Sequence, residues 1–178
     1  MKIALLGFSG SGKSTLARKL AAHHGAEVLY LDSVHWLPGW REREREEEVE
    51  IVTEFLNTHE EWVIDGNYRK ICFDRRMEEA DLIIIMNFSR ICRLFRILRR
   101  YFTYKGRTRE SIAPDCPERI NGEFLSWVLF KGCTRAHKKQ HRELAARYGE
   151  KVRFIRNQKQ LSAFEKECGL PLGIRTED

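Results

Sequence analysis

A chain of 178 residues, 42% hydrophobic and 33% charged, is long enough to bury a core and is expected to form one domain across residues 1–178. Its apolar runs, such as Ile3–Leu6 and Leu82–Met86, fall far short of the roughly 20 residues that cross a membrane, and Ile3–Leu6 is too short for a signal peptide. Net charge is +6, and five cysteines (Cys72, Cys92, Cys116, Cys133, Cys168) show neither pairing nor C-x-x-C spacing, which predicts reduced thiols and a cytoplasmic location.

In chain order, Ile3–Leu6 reads as a short buried strand and Lys13–His24 as a helix. Glu27–Leu31 is a second strand that ends at Asp32. Arg41–His59 is expected to be helical, with Val49, Val52, Phe55 and Leu56 on one face and the run "REREREEE" outside it. Trp62–Asp65 is a third strand, Tyr68–Ala80 a helix, and Asp81–Met86 the most hydrophobic strand. Ser89–Phe102 predicts a helix with Ile91, Phe95, Leu98 and Phe102 recurring at i, i+4, i+7 and i+11, and with Arg93, Arg96 and Arg100 opposite them. Residues 103–122 hold Gly, Pro, Asp and Asn and predict a lid; helices over 123–148, a strand Val152–Ile155 and a helix Gln158–Cys168 follow. Strands that alternate with helices, and that are near-continuously apolar, predict an α/β fold with a parallel sheet covered on both faces.

Charge is unevenly spread. Residues 1–89 hold 11 Lys+Arg against 16 Asp+Glu, and the remainder 21 against 10. Arg90 to Arg109 has no acid at all, which predicts an anionic ligand there.

The stretch "GFSGSGKS" fits G-x-x-x-x-G-K-[ST], with a strand before it and a helix after. Glycines let successive amides point at a polyphosphate, and the helix that starts there adds its positive dipole end. The motif therefore predicts a nucleoside triphosphate, ATP above all, surrounded by Ser9, Gly10, Ser11, Gly12, Lys13, Ser14 and Thr15. Lys13 would reach the β- and γ-phosphates, and Ser14 would ligate Mg²⁺. The fold expected is a P-loop NTPase three-layer sandwich, with a five-stranded parallel sheet, helices on both faces and an inserted lid.

Around this motif the chain resembles a family. "WVIDGNYRK" is similar to the strand-Asp-Gly-aromatic-x-Arg segment of adenylate kinases and related P-loop kinases, and "RILRR" (Arg96–Arg100) to the R-I-x-x-R that leads into their lid. With "LDSVHWLPGW" and "GRTRESIAPDCPERI" added, the whole looks most like the FlaR-type "DNA topology modulation" proteins, an adenylate-kinase-like group. The resemblance implies an ATP- and Mg²⁺-dependent phosphotransferase acting on a small acceptor, nucleotides among the candidates, with an acceptor-binding segment near residues 32–60. Asp32 would then face the acceptor's hydroxyl or the metal, although Asp-Ser is also a common helix start. Asp65 would stand behind Mg²⁺, a role compatible with a turn in Asp-Gly-Asn. Arg69 would hold an anionic group of the acceptor or else lie solvated on the surface. Trp36 and Trp40 would stack on the acceptor or pin the following helix. Arg96 and Arg100 would stabilise the moving phosphoryl group, with Arg107 and Arg109 on the lid and Arg135 completing the cluster. Asn157 falls where relatives contact adenine.

Two other readings stay open. An ATP-binding regulator of DNA topology would contact nucleic acid through Arg90–Arg109, but no helix-turn-helix, zinc-finger or RNA-binding signature accompanies the run. Cys133, His137 and His141 are spaced i, i+4, i+8, yet one helix rarely supplies three tetrahedral zinc ligands.

Overall fold

A computed structural model describes residues 1–104 and 134–171, together with 106, 108–109, 111–117, 122, 126 and 128. The strands β1 (Lys2–Gly7), β2 (Glu27–Tyr30), β5 (Trp62–Asp65), β6 (Leu82–Met86) and β7 (Val152–Ile155) form one five-stranded sheet in the order β2-β5-β1-β6-β7. Every pairing in it is parallel. Around the sheet lie α1 (Lys13–His24), α2 (Leu31–His35), α3 (Arg45–Thr58), α4 (Phe73–Glu79), α5 (Arg90–Tyr104), α6 (Arg135–Tyr148) and α7 (Gln158–Glu167). This is the five-stranded parallel sheet with helices around it that the sequence predicts.

Alternation along β1 splits the core in two. Ile3 and Leu5 point to the side packed by Leu16 and Leu20 of α1 and by Leu161 and Phe164 of α7. Ala4 and Leu6 point to the other side, against Val52 and Leu56 of α3, Met77 of α4 and Leu144 of α6. Burying each such aliphatic side chain stabilises the fold by roughly 1.5–3 kcal/mol. Since β1 is flanked by β5 and β6, its carboxyl end opens between theirs, at the crevice where doubly wound sheets bind ligands.

Three expected elements differ in their bounds. The second strand ends at Tyr30, so Asp32 sits in the first turn of α2 rather than at a strand end. The helix expected over Arg41–His59 begins only at Arg45, because Gly39 (φ 76) and Trp40 (φ 62) turn the chain into a hairpin, β3 (Trp36–Leu37) with β4 (Arg41–Glu42). The helix expected over Tyr68–Ala80 is confined to α4, since Cys72 adopts φ 45 just before it.

The helix expected over Ser89–Phe102 forms as α5, with its basic side turned inward. Its apolar residues Ile91, Phe95 and Phe102 are 69%, 68% and 75% exposed, while Arg93 is wholly buried. The helix packs against the glycine-rich loop, whose carbonyl oxygens need donors. An arginine face satisfies them, and an aliphatic face could not. Within "REREREEE" the expectation also fails at one position: Glu48 is completely buried.

Candidate active site

The glycine-rich loop is held from three sides. Gly7 ends β1 at φ 142, where an added Cβ would overlap the Met86 carbonyl of the neighbouring strand. Asn67 clasps it: its Oδ1 accepts from Gly7 N–H (2.9 Å) and its Nδ2 donates to Gly7 O (2.7 Å). Gly10 (φ 77) allows α5 to approach, since a Cβ there would lie 2.8 Å from Ile97 Cδ1. Behind the loop, Arg93 donates to Ser9 O (3.4 Å) and Val128 O (3.1 Å), and Arg96 donates to Ser11 O and to Gln158 Oε1 (2.6 Å). The Arg96 guanidinium lies 4.0 Å over Phe88, and burial pushes its pKa down.

On the opposite side, Ser9, Lys13 and Ser14 line a cavity of about 830 Å³, within the usual range for small-molecule sites. Lys13 Nζ donates to Phe8 O at 3.4 Å. Ser14 Oγ donates to Asp65 Oδ2 at 2.7 Å, while Asp65 Oδ1 is buried with no hydrogen-bond partner among the described residues. Burial holds the Asp65 carboxyl above the usual carboxylate range, and the Lys13 charge and the Ser14 hydrogen bond pull the other way. A buried carboxylate oxygen without a partner, next to a serine hydroxyl, fits the protein side of a Mg²⁺ site. No group of three or more His, Cys, Asp or Glu side chains able to hold a metal occurs among the described residues. Mg²⁺ takes few protein ligands and keeps phosphate oxygens and waters. Cys133 lies outside the described residues.

The rest of the cavity wall comes from later segments. Asp32 accepts from Tyr68 Oη at 2.8 Å, and both line the cavity. Burial and the Asp32 carboxylate push the Tyr68 pKa upward, so this phenol stays a donor. Trp36 and Trp40 meet edge to face at 5.4 Å and also line the cavity. They pack on Ile112, Ala113 and Cys116, and Gly39 N–H bonds Asp115 O (3.2 Å), so the hairpin and the 111–117 segment form one small apolar unit. Arg69, Arg100 and Arg109 face the same space.

Other expected residues lie elsewhere. Arg96 is not in the cavity wall but behind the loop. Arg135 starts α6, is exposed and does not line the cavity. Asn157 caps α7, its Oδ1 accepting from Gln160 N–H at 2.9 Å. Arg107 lies outside the described residues. Of the acid-free run, Arg93, Arg96 and Arg100 turn toward the loop and cavity, while Arg90 and Arg99 are exposed.

Sequence reading missed the α6 face. Thr134 caps this helix, its hydroxyl accepting from His137 N–H (3.2 Å), and His137, Gln140 and His141 line the cavity. Of these, the sequence reading names only His137 and His141, as zinc candidates beside Cys133. His141 Nδ1 is 3.0 Å from Asn87 Oδ1, and its ring contacts Phe8 at 5.3 Å. Burial, reinforced by His137, Arg69 and Lys13, pushes its pKa from 6.5 down to about 4. The unfolded chain therefore binds this proton near pH 6.5 and the folded chain only near 4, so stability is full above 6.5 and is lost as pH falls toward 4. A shift of this size corresponds to about 3 kcal/mol. His141→Gln is expected to flatten the fall of Tm between pH 6.5 and 4.5 in thermal melts; an unchanged slope would exclude His141 as its source.

No curated protein matches the sequence. Among solved structures the chain is similar to a shikimate kinase from Acinetobacter baumannii in complex with shikimate (TM-score 0.54, 15% identity, covering 94% of this chain and 93% of that one). It is also similar to a gluconokinase from Sinorhizobium meliloti 1021 (0.53, 17%, 94% and 88%) and to a deoxyadenosine kinase from M. mycoides with bound dATP (0.50, 16%, 95% and 100%). At these identities the likeness is one of fold. The family model described as an AAA domain matches residues 3–120, a stretch that includes the glycine-rich loop, Asp32 and Asp65. Because that match spans well over half its length, the chain belongs to the AAA-domain family AAA_33.

Proposed function

We propose that this protein is an ATP- and Mg²⁺-dependent phosphotransferase acting on a small hydroxyl-bearing acceptor. One observation carries the reading: Lys13, Ser14 and Asp65 share a single cavity with Asp32, Arg69, Arg100 and Arg109. A triphosphate held at the glycine-rich loop would thus meet a second molecule held by the hairpin, the 66–71 loop and α6. The three structural neighbours support the class, being named as kinases of three different small molecules, and they favour none of them for this chain. The FlaR-type resemblance adds a kinase-like site to the same picture rather than a DNA-binding surface.

In the proposed reaction, a bond forms between the acceptor oxygen and the γ-phosphorus as the bond to the ADP oxygen breaks, and Asp32 takes the hydroxyl proton. Ser14, with Asp65 behind it, would hold Mg²⁺, which would supply positive charge to offset that of the phosphates. Lys13 binds the β- and γ-phosphates, and Arg100 and Arg109 stabilise charge on the phosphoryl oxygens in flight. The tryptophan-walled unit with residues 111–117 excludes water that would compete with the acceptor.

Coupled measurement of ADP release with MgATP and a panel of polyhydroxy acids, nucleosides and nucleoside monophosphates tests this. Acceptor-dependent turnover is expected for one class, with Asp65→Asn lowering it about 10–100-fold. ADP release that no panel member raises above the acceptor-free rate would overturn the proposal.

A further inference from the structure

Glu48 sits in a run of charges that reads as a solvated helix face, yet it is completely buried. Taking a carboxylate out of water costs several kcal/mol unless partners replace the lost solvation. Its partners are two. Arg45 Nη1 approaches Oε2 at 3.3 Å, and His35 Nδ1 lies 2.5 Å from Oε1. A carboxylate oxygen accepts, so His35 Nδ1 carries a proton, and in the neutral form of the ring Nε2 is then the acceptor. Nε2 is 4.0 Å from the Glu42 carboxylate, beyond hydrogen-bond reach, and Glu42 is 71% exposed, so its pull on that nitrogen is screened by solvent. His35 lines the cavity one helical turn after Asp32, between the rings of Trp36 (4.7 Å) and Tyr68 (5.0 Å).

We propose that His35 is a specificity-determining residue of the acceptor site: buried Glu48 is its positioning residue, and Nε2 receives a hydroxyl or amino hydrogen of the acceptor. The inference rests on the kinase reading above and deepens it. Asp32 and His35 present two hydrogen-bond acceptors to the same space, so the molecule bound between them needs two donors, and an analogue lacking one leaves a partly buried nitrogen unpaired. Glu48 thereby reads the substrate without touching it, in the way that a carboxylate behind a metal-bound histidine fixes its tautomer.

Two measurements test this. The first uses no acceptor: nitrogen-resolved NMR of the histidine rings in the wild-type chain at pH 7.5. His35 is expected with Nδ1 protonated and Nε2 bare; Glu48→Gln, which keeps an acceptor oxygen, should preserve that form, and Glu48→Met should shift it toward Nε2–H. A ring found with Nε2 protonated, singly or doubly, overturns the proposal. The second uses gluconate and deoxyadenosine as probes with MgATP. His35→Asn can still donate to Glu48 but has no atom at the Nε2 position. For whichever probe is turned over, it should raise KM about 10-fold or more with kcat and Tm nearly unchanged. His35→Gln, whose amide reaches the Nε2 position, should recover part of the loss. A histidine that merely ties α2 to α3 would leave KM for His35→Asn at the wild-type value, and that result also overturns the proposal. Should neither probe be turned over although ATP binds, the kinase reading is weakened and the tautomer measurement decides about His35 alone.

Discussion

Lys13→Met is expected to lower kcat/KM for acceptor-dependent ADP release by about 10²–10³-fold while leaving the fold intact. The two halves of that expectation have separate causes. The side chain is only half-buried and makes one long hydrogen bond, to Phe8 O at 3.4 Å, so its loss removes little from the native state. In the proposed reaction its ammonium group, by contrast, is the charge aimed at the oxygens that gain electron density as the phosphoryl group moves, and a thioether of similar length supplies none. A second consequence follows from Asp65. Burial already raises that carboxyl, and Lys13 opposes the rise. Without the ammonium the metal-free carboxyl rises further, so the metal-free variant should lose more stability than the wild type as pH rises above the usual carboxylate range. Turnover, beside metal-free thermal melts of both proteins against pH, checks each part. A variant with wild-type turnover would remove Lys13 from the chemistry, and one that unfolds would show that the loop needs its cation to form.

How much of this was legible beforehand depended on locality. The glycine-rich loop needs only contiguous residues, and the five strands are contiguous, mostly apolar runs, so both could be read directly. Where the decisive partner lies far along the chain, the pattern misled. Periodicity on α5 separates an apolar face from a basic one, but the rule that the apolar face turns inward presumes an apolar interior. Here the interior presents Ser9 and Ser11 carbonyls, and Arg93 and Arg96 win the buried side. Glu48 is the same lesson in miniature. Within "REREREEE" nothing local distinguishes it from Glu46 or Glu47; only His35, thirteen residues earlier, does. Asp32 and Asp65 were visible as acids behind strands, yet the Tyr68 and Ser14 hydroxyls that orient them come from other segments. Arg135 shows the converse: a plausible cation, placed by the start of α6 on the outside.

Arg76→Met is the change expected to damage the molecule most. Arg76 is wholly buried, and its guanidinium donates to Ile71 O (3.0 Å), Gly66 O (3.2 Å) and Tyr68 O (2.6 Å). Burial lowers its pKa to about 10, still far above neutrality, so the cation persists under working conditions. Those three carbonyls belong to the loop between β5 and α4, which takes no regular secondary structure and has Cys72 at φ 45 before α4. Methionine fills similar volume and donates nothing, leaving three oxygens unsatisfied at roughly 1–3 kcal/mol each before relaxation. Allowing for water entering the loop, a net loss of about 3–5 kcal/mol is expected, or a fall in Tm of roughly 10 °C. The same loop carries Asn67, which clasps Gly7, and Tyr68, which orients Asp32. Acceptor KM should therefore rise and kcat fall together even at temperatures where the variant is folded, whereas a purely structural arginine would lower Tm and leave the kinetics of the folded fraction alone. Arg76→Lys, able to reach one carbonyl at a time, should fall between the two. Melting curves and steady-state kinetics on the three proteins separate these outcomes, because a loop held by its backbone alone would show neither effect.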